Sequence, residues 1–528
     1  MNSFAFLEKA AIQRGNAPAI IHGSELIGYR DLHERALALA GNLYRLGCQP
    51  GDRVAFCLPN SPRILEIIYG CFAGGLVVVP INIRLHPREM AHIVADSGAK
   101  VLIHGLDTRE GIANNLAEFG GLEQRICVGD EGETGYHSLL DAASTLVEPR
   151  NVNPTDICWL FYTSGTTGKP KGAIWTHRMV CAVVMNYLAD LHNIQPGEVV
   201  LHAAPMSHGS GIVALPAIAR GAVNVILDAP SFEPRALFET IERLQVSHIA
   251  FLAPTQIIKM LGDFKPGAFD LSSLTAITYG GAPIYAGHLR DAMAAFGPVF
   301  IQLYGQGEAP ITITGMNAER HRQLLDADDP RISSAGQVRT DVEAHCVDES
   351  GRRLGAGQEG EVVARGDVVM PGYWNNREAT AETLRGGWLH TGDVGMFDEE
   401  GYLFLLDRAK DMIITGGNNV YPREVEEVIL RHPDVANVVV IGIPDPYWGE
   451  AVHAVVVREA SSDLSAENVI NFCAEHLAGY KKPKAVEFAD TLPVSAYGKI
   501  LRREVRERYW KDQSTRVGGG APAARRTK

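Results

Sequence analysis

Apolar residues recur at two different spacings along residues 1–150 of the chain. The helical spacing predicts helices at 29–46, from Pro62 onward and at 87–96. The short apolar runs predict strands at 53–58, 77–79, 100–104, 157–161, 198–202, 223–227 and 248–252. Because helices and strands alternate in this way, the pattern predicts an α/β fold built from layers.

The pattern changes after Val338, where short strands are separated by glycine turns. Strands at 343–347, 360–364 and 402–406 predict a small barrel-like β subdomain. From Asp411 onward, a third pattern predicts a small α+β domain. Its predicted helices are 422–431 and 466–477, and its predicted strands are 435–443, 453–458 and 484–488. The predicted fold class is therefore α/β, with a large N-terminal domain at 1–407, a C-terminal domain at 411–512 and a disordered tail at 513–528.

Charge and cysteine usage narrow the class of protein. The 528 residues carry a net charge of −13, from 62 acidic and 49 basic residues, which argues against a nucleic-acid partner. The eight cysteines include no CxxC pair, which argues against a disulfide scaffold and a structural zinc site and favours a cytoplasmic protein. The longest apolar run, 67–83, is interrupted by glycine and proline, so no integral membrane segment is expected.

The first chemical signal is residues 162–172, Tyr-Thr-Ser-Gly-Thr-Thr-Gly-Lys-Pro-Lys-Gly, directly after the apolar strand at 157–161. Glycines allow close backbone approach, and hydroxyls, amides and lysines donate hydrogen bonds to phosphate oxygens. A Walker A loop would need glycine at 163 and serine or threonine at 170, where Thr163 and Pro170 stand. The segment therefore predicts a phosphate-binding loop of another kind.

This loop resembles the phosphate loop of the adenylate-forming superfamily, which includes acyl-CoA synthetases, luciferases and peptide-synthetase adenylation domains. The resemblance extends in order over residues 25–510. It implies two half-reactions and a small C-terminal domain that is mobile about a hinge at 408–410, with Lys410 as the hinge residue. It also implies that the loop binds nucleotide phosphates, with Thr163 acting in catalysis as well. The loop residues concerned are Thr163, Ser164, Gly165, Thr166, Thr167, Gly168 and Lys169.

A second stretch, Tyr-Gly-Gln-Gly-Glu at 304–308, resembles the family's adenine and magnesium motif, usually Tyr-Gly-x-Thr-Glu. The resemblance implies that Glu308 binds Mg²⁺ and acts in catalysis, and that Tyr304 flanks adenine. Gly305, Gln306 and Gly307 are expected in the same nucleotide site. Because Gly307 replaces the usual threonine, we expect a threonine to be tolerated there.

Two shorter stretches resemble the walls of the family's adenine and acyl pockets. Gly280, Gly281 and Ala282 are expected along the nucleotide. His208 is expected to line the acyl tunnel and to act in catalysis, as part of Pro-Met-Ser-His at 205–208. The expected acyl pocket consists of His208, Ser210, Gly211, Gly280 and Gly305. Because family members that use acetate have tryptophan where Gly305 stands, these small residues favour a fatty, aromatic or alicyclic acid.

The remaining predicted site residues lie in the last third of the chain. By the same resemblance, Asp393 accepts hydrogen bonds from the ribose hydroxyls, and Arg408 contacts ribose or phosphate. Gly416, Gly417 and Lys481 are expected along the path of coenzyme A. Lys499 is the expected catalytic lysine, whose ammonium stabilises charge between the substrate carboxylate and the α-phosphate.

The predicted function is an ATP-dependent acid–CoA ligase that forms an acyl-adenylate, with ATP, Mg²⁺ and coenzyme A as its small molecules. The absence of a G-x-S-x-G segment agrees with a reaction that needs no protein nucleophile. Three alternatives stay open: an enzyme that loads a carrier protein, a luciferase-like monooxygenase, and a nucleotide-binding regulator that has lost catalysis. Whether the chain forms a homodimer also stays open.

Overall fold

The computed structural model describes residues 1–129, 135–140, 147–163, 170–282, 284–408, 411–415, 418–460, 462–494 and 500–510, except for the side chains of 407 and 408. The chain divides into two compact units. The first contains Met1–Ile284, His288–Ala344 and Ala364–His390, and the second contains Tyr285–Gly287, His345–Val363 and Thr391–Lys528. The hinge expected at 408–410 stays a prediction, because residues 409 and 410 lie outside the described part of the chain.

The strands and helices follow the predicted alternation, and the predicted α/β class is confirmed. The strands are β1 (Pro18–His22), β2 (Glu25–Gly28), β3 (Arg53–Cys57), β4 (Val77–Pro80), β5 (Val101–His104), β6 (Gln124–Cys127), β7 (Ile157–Thr163), β8 (Lys171–Thr176), β9 (Val199–His202), β10 (Val223–Ile226), β11 (His248–Leu252), β12 (Ala276–Gly280), β13 (Phe300–Gln306), β14 (Ala309–Met316), β15 (Gln337–Val338), β16 (Glu343–Val347), β17 (Gly360–Arg365), β18 (Leu384–Arg385), β19 (Trp388–Phe397), β20 (Leu403–Arg408), β21 (Ile413–Thr415), β22 (Asn418–Val420), β23 (Val435–Asp445), β24 (Gly449–Arg458) and β25 (Ala485–Phe488).

The helices are α1 (Ala5–Arg14), α2 (Tyr29–Arg45), α3 (Pro62–Ala73), α4 (Pro87–Ser97), α5 (Leu106–Asn114), α6 (His177–Asp190), α7 (Gly209–Ala219), α8 (Pro234–Leu244), α9 (Pro254–Asp263), α10 (Ala286–Phe296), α11 (Ala318–Asp326), α12 (Arg377–Thr383), α13 (Pro422–Ile429), α14 (Ala466–His476) and α15 (Arg502–Trp510). Several begin at a capping side chain. The hydroxyl of Thr176 accepts a hydrogen bond from the Met179 amide at the start of α6, which satisfies a helix-end donor. Among the described residues, no helix is both long and apolar enough to span a bilayer.

Two large sheets form the frame of the first unit. A nine-stranded sheet has the order β15-β14-β13-β12-β11-β9-β10-β1-β2, and its central strands from β13 to β1 pair in parallel. A six-stranded sheet has the order β6-β5-β3-β4-β7-β8 and is parallel from β6 to β7. Parallel strands need covered faces, and α4 packs the buried Met90 and Val94 against Val79 and Leu102 of the six-stranded sheet.

Two five-stranded sheets contain the later strands. One has the order β16-β17-β19-β18, with β20 paired to β19, and includes the short strands that were predicted as a barrel-like subdomain. The other has the order β22-β21-β24-β23, with β25 paired to β24, and belongs to the second unit. Its core contains Val425 of α13 and Val438 of β23, while Val505 of α15 joins a cluster with Val439. Helix α15 is an element that the sequence pattern did not predict.

Candidate active site

The predicted phosphate loop connects the two strands of an antiparallel hairpin. Strands β7 and β8 pair from Ile157 with Thr176 to Thr163 with Lys171, where the loop begins and ends. Residues Ser164, Gly165, Thr166, Thr167, Gly168 and Lys169 lie outside the described residues, so their roles stay predictions. Both ends of the loop are nevertheless fixed, because Thr163 and Lys171 belong to the paired strands.

Glu308 lies in a two-residue turn between antiparallel strands β13 and β14. Gln306 pairs with Ala309, so Gly307 and Glu308 alone connect the two strands. A connection this short holds its residues close to the sheet. Glu308 is only 8% exposed, and Tyr304, paired with Thr314 on β14, is buried to the same degree. The turn thus places a largely buried carboxylate where strand β13 ends and strand β14 begins.

Two hydroxyls from distant parts of the chain bind this carboxylate. The Tyr373 hydroxyl donates to Oε1 of Glu308 at 2.5 Å, and the Thr163 hydroxyl lies 3.4 Å from the same oxygen. The Met370 amide also donates to the Glu308 carbonyl at 2.8 Å. Since both side-chain bonds end on Oε1, Oε2 is the oxygen that the described residues leave available to a cation.

Tyr373 is held in this position by pairing with the predicted phosphate hairpin. Residue 373 forms a single antiparallel bridge with Ala173 of β8, and the Ile174 amide donates to the Gly372 carbonyl at 3.0 Å. The Lys171 ammonium lies 5.4 Å from the centre of the Tyr373 ring, which is the geometry of a cation–π contact. Tyr373 therefore connects the end of β8 to Glu308.

The space beside Gly307 is filled by the phosphate hairpin. A Cβ at position 307 would lie 2.2 Å from Cγ2 of Thr163 and 2.9 Å from Cδ1 of Phe161. The backbone φ of Gly307 lies outside the left-handed region, so space and not conformation explains the glycine. The expectation that threonine would be tolerated at 307 is therefore wrong for this arrangement, because Thr163 already occupies that volume.

A stack of aromatic rings extends from the Glu308 turn to His208. The Trp175 indole donates to the Gly307 carbonyl at 2.7 Å and stacks on Phe161, with centroids 4.9 Å apart and planes 7° from parallel. Trp159 stacks on the other side of the indole at 5.1 Å. Phe161 also meets the half-exposed His208 ring edge to face at 5.0 Å. The predicted acyl-pocket histidine and the predicted metal ligand thus share one rigid support.

Several small residues of the predicted pockets have a packing reason of their own. A Cβ on Gly211 would lie 1.8 Å from the Met206 carbonyl, and one on Gly280 would lie 2.6 Å from the Leu303 carbonyl. A Cβ on Gly305 would lie 2.4 Å from the Ala309 carbonyl of the neighbouring strand β14. Ser210 is fully buried, and its hydroxyl lies 2.9 Å from Nδ1 of His202. The neighbouring backbone lies so close to the three glycines that a larger residue would not fit, so packing alone accounts for their small size. The pocket roles of these residues stay predictions.

The turn after β12 contains the other two residues expected along the nucleotide. Gly281 has a φ of +78°, in the left-handed region that favours glycine, and Ala282 follows it. Pro283 lies outside the described residues.

In the second unit, Asp393 and Arg408 occupy opposite positions on paired strands. They are direct partners in the antiparallel register of β19 and β20. The expected contacts of Asp393 with the ribose and of Arg408 with ribose or phosphate stay predictions. Asp393 is 8% exposed, and its amide donates to the Thr391 hydroxyl at 3.1 Å. The Arg408 side chain lies outside the described residues.

Lys481 already has a carboxylate partner in the structure. Its ammonium lies 2.6 and 2.7 Å from the two carboxylate oxygens of Glu424. Burial acts to lower the pKa of Lys481, but the bond to Glu424 outweighs it, so the pKa is raised and the ammonium stays charged. Lys410, Gly416, Gly417 and Lys499 lie outside the described residues, and their roles stay predictions.

The described residues around Glu308 offer oxygen ligands that suit a divalent cation. Glu308 supplies a hard carboxylate oxygen and Thr163 a hydroxyl oxygen, which suit Mg²⁺ in preference to a soft metal. The sequence motifs identified Thr163, Gly307, Glu308 and His208, but not Tyr373 or Trp175. Their contacts join positions 65 and 132 apart in the chain, a separation at which a local pattern carries no signal.

Known protein families and relatives match almost the whole chain. The family described as AMP-binding enzyme matches residues 7–374, and the family described as AMP-binding enzyme C-terminal domain matches residues 424–499. The chain is 38% identical to feruloyl-CoA synthase of an Amycolatopsis species, across 94% of this chain and 96% of that protein. It is 34% identical to long-chain-fatty-acid–CoA ligase of Escherichia coli O157:H7, across 95% and 93% of the two chains.

A solved structure is similar over almost the same length. The anthranilate CoA ligase AuaEII in complex with anthranoyl-AMP matches with a TM-score of 0.88 and 26% identity, covering 96% of this chain and 97% of that one. The matches to both family models, to the two relatives and to this structure all point to one kind of enzyme. The chain therefore belongs to the AMP-binding enzyme family and is an AMP-forming acid–CoA ligase, which activates a carboxylic acid with ATP through an acyl-adenylate.

Proposed function

We propose that the acid is aromatic, of the arylalkenoic or benzoic type, and that its ring packs beside Phe161 and His208. The observation that carries the proposal is the stack of Trp159, Trp175 and Phe161, in which the Phe161 ring meets His208 edge to face. Aromatic rings favour offset-stacked or edge-to-face partners at such distances. The 38% identity to feruloyl-CoA synthase supports the same class of acid.

In the first half-reaction, a carboxylate oxygen of the acid attacks the α-phosphorus of ATP. The new bond joins that oxygen to phosphorus, the bond from the α-phosphorus to the bridging oxygen breaks, and pyrophosphate leaves with the electron pair. The loop from Thr163 to Lys169 supplies hydroxyls and amides to the phosphate oxygens, and Lys499 supplies a positive charge where negative charge develops. No residue of the protein is modified.

Glu308 is the residue that would hold Mg²⁺, through the oxygen that Tyr373 and Thr163 leave available. The ion would supply positive charge to the phosphate oxygens of ATP. The chain's own part is positional: Tyr373 fixes one carboxylate oxygen by a short hydrogen bond, so the other keeps its direction. A fixed carboxylate binds a cation without first losing rotational freedom.

In the second half-reaction, the thiol of coenzyme A attacks the carbonyl carbon of the acyl-adenylate. A carbon–sulfur bond forms, the carbon–oxygen bond to AMP breaks, and AMP leaves as the thiol loses its proton. Gly416 and Gly417 would line the path of the pantetheine, and Asp393 and Arg408 would hold the ribose. The Lys481 ammonium is now hydrogen-bonded to Glu424. To bind a CoA phosphate, it would either keep this bond and add the phosphate as a second partner, or release Glu424.

The enzyme would work in the cytoplasm, where ATP and coenzyme A are available. All eight cysteines are free thiols, seven of them buried, which supports a reducing compartment. A homodimer stays a prediction, which light scattering on the purified enzyme would test.

A panel of acids tests the substrate class. The panel contains cinnamic and benzoic acids, straight-chain acids of medium and long length, and acetate, and the measured quantity is CoA-dependent release of AMP. We expect kcat/KM for the best aromatic acid to exceed that for every straight-chain acid. A fatty acid is the second candidate, favoured by the 34% identity to a long-chain-fatty-acid–CoA ligase, and the reverse ranking would establish it.

A further inference from the structure

Two histidines and a glutamate converge at a place that none of the motifs includes. His192 follows helix α6, Glu198 immediately precedes strand β9, and His248 is the first residue of strand β11. Each offers one ligand atom, and within the described part of the chain these atoms form a group in which all lie within 4.8 Å of one another. Imidazole nitrogens and carboxylate oxygens are common ligands of zinc.

The strand register explains why Glu198 and His248 meet. His248 pairs with Val200 on the neighbouring parallel strand β9, and Glu198 lies two residues before Val200. Because side chains two residues apart in a strand point to the same face, Glu198 extends from the face that His248 occupies. The His192 ring meets the His248 ring edge to face, with centroids 4.9 Å apart.

One ring nitrogen of His248 forms hydrogen bonds, whereas the described residues offer no hydrogen-bond partner to the other. Its Nε2 lies 2.9 Å from the Thr278 hydroxyl and 3.2 Å from the Tyr187 hydroxyl. Its Nδ1 is fully buried and finds no hydrogen-bond partner among the residues that the structure describes, although a buried polar atom normally has one. The Thr278 and Tyr187 hydroxyls fix the orientation of the ring, as partners of metal-bound histidines do.

His192 and Glu198 are close enough to bind one ion together. Nε2 of His192 lies 2.6 Å from Oε1 of Glu198, and the other carboxylate oxygen accepts a hydrogen bond from the Gln195 amide at 2.9 Å. The His192 side chain is 21% exposed and the Glu198 side chain 10% exposed, so a cation can enter from solvent. A metal ion bound between these two groups would replace their hydrogen bond.

We propose that His192, Glu198 and His248 form a binding site for a divalent transition-metal ion of the zinc class, separate in role from the Mg²⁺ expected at Glu308. Water would complete the four ligands that Zn²⁺ prefers. The expectation of no structural zinc site rested on cysteine spacing alone, and a site at these residues departs from that expectation because its ligand set contains no sulfur. An ion here would connect the end of α6 to strands β9 and β11, so its effect would be on stability and not on the reacting atoms.

The test uses the full-length enzyme after removal of metal with a chelator, without ATP or acid. Zn²⁺ is titrated against a chromophoric chelator of known affinity, and Co²⁺ is added to a second sample to record its visible absorption. We expect one Zn²⁺ per chain, a Co²⁺ spectrum of four-coordinate type, and a melting temperature that rises with Zn²⁺. His192→Gln and Glu198→Gln should each weaken Zn²⁺ binding by about tenfold or more, as the loss of a ligand or its partner does.

His22→Gln is the matched control, because Nε2 of His22 lies 3.8 Å from Oδ1 of Asp228 and, among the described residues, these two belong to no group of three metal-ligating side chains. It should leave Zn²⁺ binding and the Co²⁺ spectrum unchanged. Melting curves without metal establish that each variant is folded. The proposal is overturned if the enzyme binds no Zn²⁺, or if His192→Gln and Glu198→Gln bind it as tightly as the unchanged protein while folded. Neither outcome depends on the identity of the acid.

Discussion

At the scale of single residues, the Glu308 carboxylate is fixed by side chains that lie far from it in the chain. Tyr373 reaches it through pairing with β8, and Thr163 reaches it from the end of β7. Both contacts come from side chains of the protein itself, so the folded chain orients the carboxylate. Tyr373 is accordingly a positioning residue for the expected metal ligand.

Tyr373→Phe removes one hydroxyl and keeps the ring. A hydrogen bond to a charged group contributes ~1.5–3 kcal/mol, so we expect the Mg²⁺ concentration for half-maximal ATP–pyrophosphate exchange to rise by about tenfold or more. Tyr44→Phe is the matched control, since it removes a hydroxyl that donates to the Gly74 carbonyl at 2.6 Å. An identical Mg²⁺ titration for Tyr373→Phe and the unchanged enzyme would contradict the positioning role.

Gly307→Ala tests whether Thr163 fills the space at position 307. The new methyl would meet Cγ2 of Thr163, and overpacking of this kind typically destabilises by ~1–3 kcal/mol. Thr163→Ser removes that methyl and keeps the hydroxyl, so the double variant should recover much of the lost stability. Urea unfolding of the four proteins measures the coupling, which should reach ~1 kcal/mol. Additive effects would show that the two positions do not touch.

The motifs drew attention to residues whose side chains suit phosphate, metal or acyl contacts, but not to the residues that support them. Thr163, Glu308 and His208 belong to short stretches whose composition carries chemistry. Tyr373 and Trp175 are ordinary aromatic residues in the sequence, and only the folded chain brings them to Glu308 and Gly307. The role of Gly307 was misjudged for the same reason, because the volume beside it is set by Thr163.

At the scale of elements, hydrophobic spacing predicted the bounds of those helices and strands that it identified to within a few residues, but it assigned none of the helices from α5 to α12. The strand expected at 53–58 is β3 (Arg53–Cys57), and the helix expected at 466–477 is α14 (Ala466–His476). Helix α15 was missed because Arg502–Trp510 is mostly charged and buries only Val505 and Arg506. The hydrophobic pattern also could not predict the order of the strands within each sheet, because that order depends on contacts between distant segments of the chain.

The hinge expected at Lys410 gives a prediction at this scale. Proline fixes φ near roughly −65° and removes an amide, so Lys410→Pro should restrict rotation of the C-terminal domain. We expect acid-dependent ATP–pyrophosphate exchange to fall by no more than about tenfold, equivalent to ~1.4 kcal/mol, while thioester formation falls far more. Lys410→Ala is the control and should change little. Equal losses in both half-reactions of a folded variant would argue for a single fixed active site.

At the scale of the whole molecule, two buried histidines make the free energy of unfolding depend on pH. Burial lowers the pKa of His202 and of His321 from 6.5 to about 4, although the hydrogen bonds to Asn224 and to the Asn317 carbonyl act in the opposite direction. In the unfolded chain both rings take up a proton near their ordinary pKa. Below about pH 6.5 the unfolded state therefore binds more protons than the folded state, which favours unfolding.

The free energy of unfolding should thus be highest above about pH 6.5 and fall as the pH decreases toward about 4, by up to ~1.4 kcal/mol per pH unit for each histidine. Below about pH 4 these two rings contribute no further loss, because the folded state then binds the protons too. Urea unfolding across this range measures the slope. His321→Gln should lower this slope by the contribution of one titrating group, up to ~1.4 kcal/mol per pH unit. An unchanged slope would mean that His321 does not titrate as described.

The central claim is that the acid is activated as its adenylate, and oxygen transfer tests it most directly. The substrate acid is labelled with ¹⁸O in both carboxylate oxygens and converted to the thioester with ATP and coenzyme A. The products are then analysed by mass spectrometry. Because the attacking carboxylate oxygen stays on the α-phosphorus when the thiol displaces AMP, each AMP should carry one ¹⁸O and pyrophosphate none. Label in inorganic phosphate with formation of ADP, or AMP without label, would contradict the account.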